Sequence, residues 1–171
     1  MRIGIITVST SAAQGGRIVD ASGDAIAQAV VEPPLTATVV RRATVADDQH
    51  AIQAILQNWA DAHAADVILT TGGTGFAPSD VTPEATQAVC DKMAPGIAEA
   101  LRSGTAVATP LAWLSRGVAG IRDRTLIVNL PGSPKAVREY LAILLPLLPH
   151  AVAILTEQFG QHDSGDQQTA P

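Results

Sequence analysis

Four short runs of apolar and β-branched residues punctuate the chain: Arg2–Val8, Thr38–Val45, Val67–Thr71 and Thr125–Leu130. Within them apolar residues follow one another without in-out alternation, the pattern of strands covered on both faces in a parallel sheet. Between the second and third runs the period changes. Over residues 48–62, Ile52, Ile55, Leu56 and Trp59 fall on one helical face behind Asp47 or Asp48 as cap, which completes a βαβ unit. Residues 22–30, 83–92 and 97–102 predict further connecting helices, and Ser133 with Pro134 opens a last one over 135–148. Residues 118–121 are placed to pair antiparallel with 125–128 across Arg122-Asp123-Arg124. The expected fold class is α/β: a three-layer α/β/α sandwich, mostly parallel sheet with one antiparallel edge strand, filling one domain over residues 1–157. Residues 158–171 are polar and small and are expected to form a disordered tail.

The third run leads directly into Gly72, Gly73 and Gly75, and then into Thr82-Pro83, an N-cap and first-turn signal. Glycines without Cβ let backbone N–H groups approach a ligand closely, and a following helix adds its orphan amides and positive dipole end. This strand–turn–helix passage predicts an anion site. Asp80 is out of place there, since a carboxylate repels an anion unless a divalent cation bridges them or the carboxylate takes part in chemistry. The fourth run ends similarly, in Pro131-Gly132-Ser133-Pro134, with Lys135 just beyond. Ligands of open α/β sheets bind at the carboxyl ends of strands, so these two loops are expected to form two walls of one pocket.

Composition narrows the classes. The 171 residues are 47% hydrophobic and 16% charged, enough for a sizeable core in one domain. Sixteen acidic residues against eleven basic ones give a net charge of −5 with no basic cluster, which disfavours nucleic acid as a partner. A single cysteine, Cys90, allows no intrachain disulfide, and it is expected to pack on a helix as a small apolar group. A cytoplasmic location is expected, with no membrane partner, because no secretory core or apolar run of about 18 residues stands out. His50, His63, His150 and His162 lack metal-ligand spacing, and Trp59 and Trp113 are expected in the core or at a subunit interface. The glycine loop matches neither a P-loop nor Gly-x-Gly-x-x-Gly, and no Gly-x-Ser-x-Gly elbow occurs.

Three segments in order, TTGGTGFAPSDVTPEAT over residues 70–86, TPLAWLSR over 109–116 and VNLPGSPK over 128–135, resemble the MogA and MoaB family of molybdenum cofactor biosynthesis, also seen as a domain of gephyrin. The resemblance spans about residues 3–155. It implies a homotrimeric α/β domain that binds molybdopterin and, in catalytic members, adenylylates it with Mg-ATP, releasing pyrophosphate. A molybdate-inserting enzyme is then implied downstream. The family's two key acids fall on Asp80 and Asp47, which the resemblance makes the catalytic residues and the ligands of Mg²⁺. The nucleotide and pterin would be held by Ser9 and Thr10, by Asp20, Ser22 and Gly23, by Thr71, Gly72, Gly73, Thr74 and Gly75, by Ser115 and Arg116, and by Pro131, Gly132, Ser133 and Lys135. Asp20, Ser22 and Gly23 would lie on the adenylate side, Ser115 and Arg116 by the pterin. The chain departs from the pattern at Thr10, where the family usually has Asp, and at Ser79, where Arg is common.

Each feature also admits a plainer role. Asp47-Asp48 and Asp80 suit helix capping or a helix dipole, and the 131–134 loop suits a rigid strand-to-helix connection. The function reading is therefore an adenylyltransferase, with a MoaB-type pterin-binding protein of little or no activity as its alternative.

Overall fold

The computed structural model describes residues 1–13 and 19–156; the tail expected over 158–171 lies outside the described residues, as does His162. In chain order the elements are β1 (Arg2–Val8), α1 (Thr10–Ala13), α2 (Ala21–Val31), β2 (Thr38–Val45), α3 (Gln49–Asp61), β3 (Val67–Thr71), α4 (Thr82–Val89), β4 (Lys92–Met93), α5 (Pro95–Ala106), β5 (Ala119–Arg122), β6 (Thr125–Leu130), α6 (Pro134–Leu144) and α7 (Leu148–Leu155). The strands form one sheet in the order β2-β1-β3-β6-β5-β4. The four expected strands pair in parallel as β2-β1-β3-β6, with Ile5 opposite Leu69 and Leu69 opposite Val128. All residues of β3 and β6 are buried, as their unbroken apolar runs require, whereas β2 departs from the expected two-sided cover: it is an edge strand, carries Arg41 and Arg42, and only Val45 of it is buried. Along β1 successive side chains serve opposite faces. Ile3 and Ile5 join Ile26, Val137 and Leu141 in one core, while Ile6 and Val8 join Ile52, Leu56 and Val89 in the other. Helices therefore cover both faces, giving the three-layer sandwich.

The antiparallel element is β5, paired on β6 with Ala119 opposite Val128. Beyond it lies an unforeseen strand, β4, which pairs with β5 through Lys92 opposite Ile121 and Met93 opposite Gly120. This corrects the helix expected over 83–92. Cys90 leaves the helix with φ −79° and ψ 138°, and Asp91 N–H donates to Ile121 O at 2.8 Å. Ladder bonds to the exposed flank of β5 thus replace the last helical turn, and Cys90 is a helix terminus rather than a helical residue.

Two further helix boundaries and one burial differ from expectation. The helix expected over 97–102 extends across Pro95–Ala106. The one expected over 135–148 divides at Leu145–Leu147, where Pro146 has no N–H to continue the α ladder. Taken together, Pro134–Leu155 is a 22-residue helical stretch long and apolar enough to cross a membrane by length and composition, a length the apolar-run count missed. Its inner side, with Val137, Tyr140, Leu141, Leu144 and Leu148, lies in the domain core. Finally, Trp113 is 57% exposed and so is not a core residue of the single chain, whereas Trp59 packs partly buried on the second core.

Candidate active site

Chain direction reverses its winding between β1 and β3, since β2 lies on one side of β1 and β3 with β6 on the other. Such a switch point opens a crevice at the carboxyl ends of the two strands. Here it is a cleft of about 110 Å³ lined by Thr7, Val8, Ser9, Asp20, Ser22, Thr71, Gly72 and Gly132. The glycine turn and the second loop therefore meet as expected. Thr71 Oγ1 donates to Pro131 O at 2.7 Å, and Ser22 Oγ donates to Gly132 O at 2.6 Å.

The turn itself demands glycine. Gly72 has φ +96° and Gly73 φ +64°. A Cβ on Gly72 would lie 2.3 Å from Val8 O, so only glycine lets the turn run this close to the end of β1. Thr82 does not cap α4; Val81 holds that position without a side-chain cap. Thr82 is buried as the first helical residue and closes the loop from inside. Its Oγ1 donates to Gly72 O at 2.9 Å and its N–H to Gly73 O at 3.1 Å. A polar residue with a hydroxyl at this point is spent on a carbonyl that the left-handed turn leaves unpaired.

The two acids stand on either side of this turn. Asp48, not Asp47, caps α3, accepting from Ala51 N–H at 2.8 Å. Asp47 faces the other way: Oδ2 accepts from Thr10 N–H at 2.7 Å and Thr10 Oγ1 at 2.8 Å, while Oδ1 lies 3.4 Å from where a Cβ on Gly73 would be. Asp80 Oδ2 accepts from Ala77 N–H at 2.9 Å and would lie 2.8 Å from a Cβ on Gly75. The missing side chains at 73 and 75 thus let a carboxylate come close to the turn backbone, and at 73 Thr82 Oγ1 approaches as well, 2.4 Å from where the Cβ would be. Asp80 also borders an open hollow of about 520 Å³ that includes Phe76, Glu84 and Arg116.

The remaining expected residues sort by what they touch. Asp20 caps α2 through Gly23 N–H at 2.9 Å, accepts from Thr7 Oγ1 at 2.7 Å and pairs with Arg42 at 3.2 Å. Ser115, Pro131, Ser133 and Lys135 line a third cleft of about 350 Å³ with Leu111, Ala112 and Tyr140. Ser133 occupies the N-cap position of α6 without a side-chain cap bond, and Pro134 follows as its first residue. Thr74 is buried, and its carbonyl accepts from Arg116 N–H at 2.9 Å. The Arg116 guanidinium is held by Gly75 O, Asp80 O and Glu84, and this bond from Arg116 keeps the Glu84 carboxyl below its ordinary range.

Sequence reasoning missed three residues that shape this region. Glu84 lies in the 70–86 segment without a role read for it, and only the fold brings it to Arg116. Arg42, on β2, reaches both Asp20 and Asp24. Asn129, inside the VNLPGSPK segment, is 2% exposed. Its Nδ2 donates to Thr70 Oγ1 at 3.0 Å and Thr86 Oγ1 at 2.8 Å, and its Oδ1 accepts from Val118 N–H at 3.2 Å. A lone Asn in a run of buried apolar residues was the available signal, because such an amide must be satisfied by several partners at once.

A doubly covered sheet with a glycine turn and a cleft at its switch point, and two carboxylates against that turn, defines a nucleotide- or phosphate-handling α/β domain. Residues 4–150 match the family described as the probable molybdopterin binding domain. The chain belongs to this family. It is 40% identical over 161 residues to a molybdopterin adenylyltransferase of Helicobacter pylori, covering 94% of this chain and 91% of the relative. It is 38% identical over 141 residues to a molybdopterin adenylyltransferase of Escherichia coli, covering 82% and 72%. Among solved structures, the molybdopterin biosynthesis enzyme MoaB of Thermus thermophilus superposes with a TM-score of 0.84 at 47% identity, covering 91% of this chain and 96% of that one.

Proposed function

We propose that the protein is a molybdopterin adenylyltransferase: an oxygen of molybdopterin attacks the α-phosphorus of ATP, the adenylyl group is transferred and pyrophosphate leaves. The observation that carries this reading is the placement of Asp47 and Asp80 against the glycine turn that follows β3. The turn amides from Gly73 to Gly75 receive phosphate oxygens, Gly72 N–H being spent on Leu130 O, while Arg42 and Arg116 are both engaged with carboxylates. The arrangement fits Mg²⁺, which protein sites bind through one or two carboxylates together with substrate phosphates. Asp47 and Asp80 would hold it, and when bound it supplies charge neutralisation to the polyphosphate. Thr71 ties the second loop to the strand end before the turn and Ser22 ties it to α2, keeping the walls of the cleft in register. The 350 Å³ cleft bordered by Ser115 and Ser133 is the pterin side of this reading.

A homotrimer belongs to the same reading. Val107, Leu111, Trp113 and Leu114 are 91%, 70%, 57% and 49% exposed within eight positions, an apolar surface suited to burial against another copy. Light scattering should give about three times the 17.6 kDa chain mass; a monomer at micromolar concentration refutes it. The chain acts in the cytoplasm, and a molybdate-inserting enzyme consumes its product.

The deciding experiment incubates the protein with molybdopterin and Mg-ATP and measures adenylylated pterin and pyrophosphate. Pterin binding without either product would replace the enzyme by a MoaB-type binding protein.

A further inference from the structure

We infer that Arg116 and Glu84 form a clamp that sets the position of the Asp80 carboxylate, so that both residues serve adenylyl transfer as positioning residues without touching substrate. This rests on the function proposed above. The excursion from Gly73 to Thr82 is closed at its base by Thr82, but its interior carbonyls have no strand or helix to pair with. Arg116 supplies the missing donors. Its N–H reaches Thr74 O at 2.9 Å, Nε reaches Gly75 O at 2.7 Å and Nη2 reaches Asp80 O at 2.6 Å, while Nη1 donates to Glu84 in the first turn of α4. One rigid guanidinium fork thus joins positions 75, 80 and 84, which no local bond connects.

The pair is not well placed to stabilise the fold, because its side chains are 35% and 41% exposed and ion pairs in such surroundings contribute about 0–1 kcal/mol. It is well placed to set geometry. The carbonyl that Arg116 holds belongs to Asp80 itself, so displacing it carries the carboxylate along. Misplacement by about 1 Å can cost about 10²-fold in rate. Glu84 in turn orients the fork from a helix anchored through Thr86 to Asn129.

The test is a double-mutant cycle on the full-length protein, with adenylyl transfer, molybdopterin affinity and amide exchange of residues 74–80 as readouts. Arg116→Ala and Glu84→Ala should each lower kcat about 10- to 100-fold with molybdopterin Kd within about threefold of wild type, and the double variant should be no worse than Arg116→Ala. Glu84→Gln, which keeps an acceptor, should recover part of the loss; Arg116→Lys, with one ammonium for three acceptors, should not. Wild-type turnover in Glu84→Ala overturns the clamp. So does a tenfold weaker molybdopterin Kd with unchanged kcat in Arg116→Ala, which would make Arg116 a substrate ligand. If the wild type itself transfers no adenylyl group, the enzyme reading fails and amide exchange decides the clamp: equally faster exchange over 74–80 in both variants sustains it, and unchanged exchange refutes it.

Discussion

Thr10 and Asp47 are bound to one another across the ends of β1 and β2: the threonine N–H and hydroxyl both donate to Asp47 Oδ2, and the hydroxyl accepts from Asp47 N–H at 3.1 Å. With Asp48 performing the capping of α3, Asp47 is released from that duty and instead meets the first N–H of α1. Asp48→Ala should therefore lower stability by about 1 kcal/mol in urea unfolding and leave turnover intact. Asp47→Asn should do the reverse, keeping stability while adenylyl transfer falls more than molybdopterin affinity, and Asp80→Asn should behave alike. Near-normal transfer in both Asn variants would remove these acids from the chemistry.

The glycines of the turn separate into two kinds of probe. At Gly73 a side chain is opposed twice, by φ +64° and by Thr82 Oγ1 2.4 Å from the added Cβ, so Gly73→Val should cost about 1–3 kcal/mol of stability as well as ligand affinity. Gly75→Ala is cleaner. Its Cβ meets only the Asp80 carboxylate, at 2.8 Å, so turnover should fall with little change in unfolding midpoint. Equal activity in a folded Gly75→Ala protein would mean the carboxylate has nothing to do at that position.

Asn129→Leu should destabilise by about 2–4 kcal/mol, because it leaves the Val118 N–H and two threonine hydroxyls without their amide partner inside the sheet–α4 contact. Denaturant unfolding checks this. A loss under about 1 kcal/mol would show that the network relaxes around an apolar side chain.

Acid should weaken the fold in a defined window. The bond from Arg116 holds the Glu84 carboxyl below its usual 4.5; at Asp66, burial works against ionisation but is outweighed by hydrogen bonds from Arg2, leaving that group below 3.8. A carboxyl with a folded-state value below its unfolded one contributes stability above the unfolded value and loses it as pH falls through the folded one. The thermal midpoint should stay level above about pH 5 and drop below about 4, less steeply in Asp66→Asn, because the exposed Glu84–Arg116 pair contributes little. A midpoint unchanged down to about pH 3 contradicts this.

Burial pushes the Cys90 thiol up to about 11, with Asp91 adding to it, and Gly120 leaves no room beside Sγ. Alkylation at pH 8 should be about 100-fold slower in the native protein than in the urea-unfolded chain. Similar rates would show that this corner opens freely.

The four parallel strands and the glycine turn were legible in the chain because their causes are local: β-branched runs favour extended backbone, even in β2 where the expected two-sided cover is absent, and a left-handed turn needs residues without Cβ. Family membership was legible for a related reason, since three ordered segments survive as words in the sequence. Other features depended on partners distant in sequence. Helix α4 stops at Val89 because β5 offers ladder bonds to Lys92 and Met93, an alternative that helical periodicity does not contain. Which of two adjacent aspartates caps and which faces the glycines was settled by the hydroxyl of Thr10, 37 positions away. Nor does the segment that holds Arg116 say that its guanidinium meets Gly75, Asp80 and Glu84, which only the fold brings to it. Period and propensity act over a few residues and can be read in one dimension, whereas a buried or half-buried polar group takes whichever partner the packing delivers, and that is decided only in three.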